Sequence, residues 1–203
     1  LEPMEPDASG PEPMCRRIEQ AAGRVLDDRK ILIGLGGEHT ISIGLFRAIH
    51  ERVPDVSLLQ IDAHADMRDR YQSSPYSHAC VMRRIAETGT RIAGVAVRSI
   101  SREEADFVQS RKDQILEVTS WMMRQNQEWV RPVLDHLGQR VYVTIDIDGF
   151  DPSIAPGTGT PEPGGIHWFQ ACALLRAVAE RRHIVGADVV EISPVPGQTV
   201  TEH

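Results

Sequence analysis

Two short runs, Asp62-Ala63-His64-Ala65-Asp66 and Asp146-Ile147-Asp148, gather five carboxylate and imidazole side chains, and each follows directly on an apolar stretch. Val56 to Ile61 precedes the first and Val141 to Ile145 the second, both short, aliphatic or β-branched, and without helical periodicity. Carboxylates buried at such points without compensation cost about several kcal/mol per charge, so a cation at the same place is the expected solution. Along an extended segment alternate side chains point the same way. The spacing therefore predicts Asp62, His64 and Asp66 on one side of their segment, and Asp146 with Asp148 on one side of theirs.

His39 adds a sixth group, at the end of a third predicted strand. The six offer oxygen and imidazole nitrogen but no sulfur, a set that suits Mn²⁺ better than Mg²⁺, Fe²⁺, Co²⁺ or Zn²⁺. Six ligands exceed what one open catalytic metal takes from protein. Two metals sharing bridging carboxylates use all six, and a pair about 3.5 Å apart activates water at neutral pH. The predicted reaction class is hydrolysis.

The elements that must hold these groups alternate. Apolar spacing predicts a helix from Met14 to Asp28, a strand at Ile31 to Ile33, a helix from Thr40 to Glu51, then the strand ending at Asp62. A polar loop from Met67 to Ser77 leads to a helix over Ala79 to Glu87 and a strand at Ile92 to Val97. Ser101 to Glu104 reads as a capping box opening a helix. The stripe Trp121, Met122, Gln125, Trp129, Val133 and Leu137 predicts one core-facing helix over Ser120 to Leu137. After the second acidic run comes a Pro- and Gly-rich loop from Asp151 to Gly165, a helix over Trp168 to Arg181, and a strand from Ile184 to Val190 ending at Glu191. This rhythm predicts a three-layer α/β/α fold with a mostly parallel sheet, one domain over residues 1–203, and a metal site at the carboxyl ends of the strands.

Composition narrows the partners. The 203 residues are 41% hydrophobic, enough for a full core. A formal charge of −7 argues against nucleic acid or an anionic membrane surface, no apolar run reaches membrane-spanning length, and three widely spaced cysteines fit reduced thiols. A soluble cytoplasmic protein is expected.

Gly37-Glu38-His39, the two acidic runs, Gly149-Phe150-Asp151-Pro152, the loop Ala155-Pro156-Gly157-Thr158-Gly159-Thr160-Pro161 and Glu191 together resemble the signatures of the ureohydrolases, the arginase and agmatinase family. The resemblance runs in order from about Gly34 to Pro194. It implies an arginase-like fold, two Mn²⁺ per subunit, and cleavage of a guanidino group to urea and an amine. It implies His39, Asp62, Asp66 and Asp146 as ligands of one metal and Asp62, His64, Asp146 and Asp148 of the other, Asp62 and Asp146 bridging. Glu191 matches the family's guanidinium-binding carboxylate, and His78 the histidine proposed to pass a proton to the leaving amine. Tyr76 to Arg84 and Val97 to Ser101 resemble the agmatinase-like branch, so agmatine, giving putrescine and urea, is the first substrate expected. Aminopropylagmatine, guanidinobutyrate, guanidinopropionate, arginine and formiminoglutamate are the alternatives. Trimers or hexamers are the expected assembly. Relative to the family the chain is expected to lack an N-terminal strand region and a C-terminal helix, which raises a rival from another class, a truncated and inactive homologue. An amide hydrolase of the deacetylase type is disfavoured, since it uses one zinc and fewer carboxylates.

Other residues read more plainly. His50, His136, His167, His183 and His203 are expected to be structural. Gly34 to Gly37 lacks the pattern of a phosphate cradle and is read as close backbone packing near the metals. Asp151-Pro152 reads equally as a turn or as support for the site. Arg68 and Arg70 read as loop charges bordering it.

Overall fold

The computed structural model describes residues 3–198 and 200–201; His203 lies outside the described residues. Six parallel strands form one sheet, β1 (Leu32–Leu35), β2 (Ser57–Ile61), β3 (Ile92–Val97), β4 (Ile115–Thr119), β5 (Arg140–Asp146) and β6 (His183–Val190). Their lateral order is β1-β6-β5-β2-β3-β4. β2 and β3 are buried along their whole length, as expected of parallel strands covered on both faces.

The pleat divides the core in two. Leu58, Ile92 and Tyr142 face a layer containing α1 (Pro11–Asp27), α2 (Ile41–Arg52) and α3 (Val81–Ala86). Their neighbours Leu59, Ala93 and Val143 face α5 (Ser120–Gln125), α6 (Val130–His136) and α7 (Trp168–Arg181). Between β3 and β4 lies α4 (Arg102–Ser110), opened by the expected capping box of Ser101 and Glu104. Among the described residues no helix is long and apolar enough to cross a membrane.

Chain order runs outward from β2 to β3 and β4, and in the other direction from β5 to β6. The adjacent pair β2 and β5 is therefore the topological switch point, where such sheets open a crevice beyond their carboxyl ends. Both acidic runs leave the sheet there.

The structure corrects the sequence reading at four points. The helix expected over 120–137 is two short helices, because Asn126 turns out of helical geometry and its side chain accepts from the Glu128 N–H at 2.9 Å. Pro132, which would break a continuous helix, then sits in the first turn of α6, where it is tolerated. Trp121 and Met122 consequently project outward. The helix expected from Ala79 begins as a 3₁₀ turn, His78–Cys80, before α3. β4 escaped the sequence reading altogether, since Glu117 and Thr119 interrupt its apolar residues. The Gly34–Gly37 run packs closely, but against α2: side chains at Gly34 and Gly36 would overlap Leu45 and Ile41.

Candidate metal centre and its cleft

Beyond the sheet both acidic runs curl, and in the same way. Asp62 Oδ1 accepts from the His64 N–H at 2.7 Å, and Asp146 Oδ1 accepts from the Asp148 N–H at 3.0 Å. An aspartate that captures the N–H two residues on makes a compact turn. The convergence predicted from strand pleat is thus achieved by turns: Ile147–Gly149 is a 3₁₀ turn capped by Asp146, and Asp66 has φ +54°. Each aspartate keeps Oδ2 for the interior.

The two turns are locked together. The Ala63 N–H donates to Asp148 Oδ1 at 3.1 Å. Gly149 lies so close that a methyl group there would sit 2.7 Å from the Asp62 nitrogen and 2.9 Å from the Ile61 carbonyl carbon.

His39 enters from the turn before α2 and is fully buried. Its Nδ1 lies 2.9 Å from Asp66 Oδ2 and 3.4 Å from Oδ2 of both Asp62 and Asp146, yet is aligned to hydrogen-bond none of them. Three carboxylate oxygens thus surround one imidazole nitrogen, an arrangement that could hold a cation between them. Nε2 lies 3.0 Å from Thr144 Oγ1, which itself donates to Asp188 Oδ1 at 2.6 Å. The Thr144 oxygen then accepts from Nε2–H and Nδ1 is turned to the centre, where burial opposes the charged ring but Asp146, Asp66 and Asp62 raise it well above its ordinary range. Tyr142 also donates to Asp188.

His39, Asp62 and Asp146 bring ligand atoms within 4.8 Å of one another, and so do Asp62, His64 and Asp148. The groups overlap at Asp62. Burial pushes the Asp66 carboxyl up to about 7, with the Asp62 charge adding to it. Burial, then the charge of Asp146, raises Asp62; burial also raises Asp146 against the pull of His39. At His64 burial opposes the charged form, but Asp148 and Asp62 outweigh it and lift the ring to about 11. Four carboxylates against two imidazoles is a deficit of positive charge. Hard divalent cations with oxygen and imidazole ligands fit it, and these six residues could hold them.

His64, Asp66, Asp146 and Asp148 open onto a cleft of about 360 Å³ that Glu38, His78 and Glu191 also line. Glu191 has φ +62° and its N–H donates to Gly37 O at 2.8 Å. Its Oε1 accepts from the His39 N–H at 2.8 Å. The His78 N–H donates to Glu38 Oε1 at 2.6 Å, and its ring Nδ1 lies 3.1 Å from the same oxygen, while Nε2 has no hydrogen-bond partner among the described residues; Tyr71 packs edge-on with ring centroids 5.4 Å apart. Arg68 reaches the cleft but lies over the Tyr71 ring with Nε 3.8 Å from Glu104. Arg70 turns back to Ser73 O.

Supporting residues surround the centre, and of these Arg98 and Gln60 carried no site reading in the sequence. Arg98 donates to the carbonyls of Asp148 at 2.7 Å and Glu162 at 2.7 Å, and to those of Ala96, Gly149 and Phe150. It thereby ties the second acidic turn to the Pro- and Gly-rich loop. Asp151 accepts from the N–H groups of Ser153, Gly164 and Gly165, which makes it the clasp of that loop. The loop in turn delivers Thr160 Oγ1 to Asp148 Oδ2 at 3.0 Å. Gln60 donates to Asp62 Oδ2 at 2.8 Å and to His64 O at 3.1 Å. Glu104 anchors the Met67 N–H at 3.0 Å.

Fold and site together define an α/β protein with a carboxylate and imidazole centre at its switch point. Residues 2–203 match the family described as Arginase family, and the chain belongs to that family. It is 38% identical over 179 residues to a protein named N(1)-aminopropylagmatine ureohydrolase from Synechocystis sp., covering 87% of this chain and 58% of that protein. It is 37% identical over 187 residues to an agmatinase from Halalkalibacterium halodurans, covering 91% and 63%. The solved structure of an agmatine ureohydrolase from Thermoplasma volcanium superposes with a TM-score of 0.81 at 34% identity, covering 97% of this chain and 66% of that one. The chain thus spans about three-fifths of the length of the curated relatives it matches.

Proposed function

We propose that this chain carries the catalytic core of a guanidino hydrolase, with agmatine as its first substrate and putrescine and urea as products. The observation that carries the reading is the pair of ligand groups sharing Asp62, set under a cleft whose other walls hold Glu191 and His78. His39, Asp62, Asp66 and Asp146 would hold one dication and Asp62, His64, Asp146 and Asp148 the other, with Mn²⁺ favoured by the donor set. Bound there, the pair would supply Lewis acidity and an activated water at neutral pH.

The protein groups perform the remaining work. The Glu191 carboxylate, oriented by the His39 N–H, accepts from the planar N–H fork of a guanidinium and holds its carbon over the centre. Water adds to that carbon, the bond to the alkylated nitrogen breaks, and the nitrogen takes up a proton as it leaves. His78 is placed to deliver it: Glu38 holds the Nδ1 side, and Nε2 remains free. The cleft favours a cationic substrate, because Glu38, Glu104 and Glu191 line it and Arg68 is already engaged. Agmatine and aminopropylagmatine end in ammonium groups, whereas arginine and guanidinobutyrate carry carboxylates. The relatives' names, agmatinase and aminopropylagmatine ureohydrolase, support the same preference.

Urea release by the Mn²⁺-loaded chain, measured with each of these compounds, tests the assignment. Turnover of agmatine or aminopropylagmatine is expected, and turnover of arginine alone would reject the substrate. The outward side chains of β1, with Ile33 and Leu35 exposed, favour a second reading in which these 203 residues bind metal without turnover. Robust metal-dependent urea release would reject that.

A further inference from the structure

One lateral row of the sheet is polar from β6 to β4. Asp188, Thr144, Gln60, Gly94 and Glu117 are successive register partners on β6, β5, β2, β3 and β4. The half of the row on β6 and β5 supports His39, as described above. The other half contains three buried acceptor oxygens with no partner among the described residues: Gln60 Oε1, Glu117 Oε1 and Glu117 Oε2. Leaving buried acceptors unpaired forfeits their hydration with no return, so the cluster calls for a donor.

Geometry says which donor. Both N–H bonds of the Gln60 amide are committed, to Asp62 Oδ2 and His64 O, so its Oε1 must face the other way. The next residue along the row is Gly94, and the Glu117 carboxyl lies in the space that a side chain at Gly94 would fill. Only a residue without Cβ allows Glu117 to reach across β3 toward Gln60. Gln60 and Glu117 stand on one face of the sheet with only Gly94 between them, and two buried acceptors so placed are compatible when one of them carries a proton.

We propose that Glu117 is a positioning residue for Asp62, acting through Gln60: as a neutral acid it donates its O–H to Gln60 Oε1 and fixes the amide that holds the shared ligand. The inference rests on the proposed role of Asp62 at the centre. Burial, the largest influence, pushes the Glu117 carboxyl up to about 8, and the other charged groups acting on it, Asp62, Glu104 and Asp66, are all acidic. Partners standing behind metal ligands typically alter metal affinity by roughly 10–100-fold when removed.

The test uses the full 203-residue chain and two variants, Glu117→Gln and Glu117→Leu. In the Mn²⁺-loaded protein at pH 6, the infrared difference spectrum of wild type minus Glu117→Gln should show the carbonyl band of a buried protonated carboxyl that shifts in D₂O. In Glu117→Gln an amide N–H takes the place of the acid proton, so Mn²⁺ affinity by calorimetry should stay within about threefold of wild type, whereas Glu117→Leu should lose about tenfold or more. Absence of the band, unchanged affinity in the leucine variant, or equal losses in both variants would overturn the proposal. Should the leucine variant fail to fold, the infrared band and the affinity of Glu117→Gln decide the matter. A protein that shows the band and binds Mn²⁺ but releases no urea would defeat the proposed hydrolase and leave this inference standing.

Discussion

Thr144 shows how much a single hydroxyl can determine. Its oxygen accepts from His39 Nε2–H while its hydrogen goes to Asp188, and this relay turns Nδ1 toward three carboxylates. Thr144→Val keeps the shape of the side chain and removes both bonds. The imidazole then has no fixed tautomer, and the buried Nε2 and Asp188 Oδ1 lose partners. Mn²⁺ affinity of the variant, by calorimetry, should fall about 10–100-fold while far-ultraviolet circular dichroism keeps the native shape; affinity equal to wild type would show that His39 is oriented by the carboxylates alone. Arg98 is a second case. Its planar guanidinium reaches five backbone carbonyls, which an ammonium on a flexible stem cannot reproduce. Arg98→Lys should lower the melting temperature and weaken Mn²⁺ binding together, since the turn bearing Asp148 and the loop bearing Thr160 share this one staple.

Among the elements, the loop over 151–165 depends most on one side chain. Asp151 collects three backbone N–H groups, and hydrogen bonding, with Ser153 the largest contributor, holds its carboxyl down to about 2. A depressed folded pKa gives stability that is present above the unfolded value, near 3.8, and is lost as pH falls through about 2. Asp151→Asn should therefore melt below wild type at pH 6, with the gap closing as pH is lowered from about 4 to about 2; a gap independent of pH would assign the effect to packing. The sequence showed Asp151 and left its role open between turn and support, and the structure makes it a clasp whose loop reaches Asp148. The six proposed ligands were legible because they stand in contiguous motifs at strand ends. Arg98, Gln60, Asp188 and Glu117 were not, because their roles arise only when β5 lies between β2 and β6 and Gly94 lies between Gln60 and Glu117. Lateral order is a non-local property, and no spacing along the chain encodes it. The helices separated similarly: Trp168–Arg181 stood out by periodicity, while 120–137 broke at Asn126 through a side-chain hydrogen bond that a hydrophobic stripe does not register.

At the scale of the whole molecule, the β1 edge favours association and the buried acid of β4 makes stability depend on pH. Ile33 is 64% and Leu35 83% exposed on one face of the edge strand β1, and Phe169 at the start of α7 is 85% exposed. An apolar edge with unpaired backbone groups is a template for association. Expressed as these 203 residues, the protein should scatter light at concentrations where Ile33→Thr/Leu35→Lys does not, with no loss of Mn²⁺ affinity, because neither side chain approaches the centre. Glu117 acts through linkage instead. Its carboxyl is raised from 4.5 to about 8 in the folded chain, so its favourable contribution is complete below about 4.5 and is lost as pH climbs to about 8, where the unfolded state gains by ionising. Glu117→Gln has no proton to lose. The melting temperature of the variant minus that of wild type should therefore grow steadily between pH 5 and pH 8 and level off above it. A difference that stays flat over that interval would mean that Glu117 is already ionised in the fold, and the row from Asp188 to Glu117 would then be held by charge and not by a shared proton.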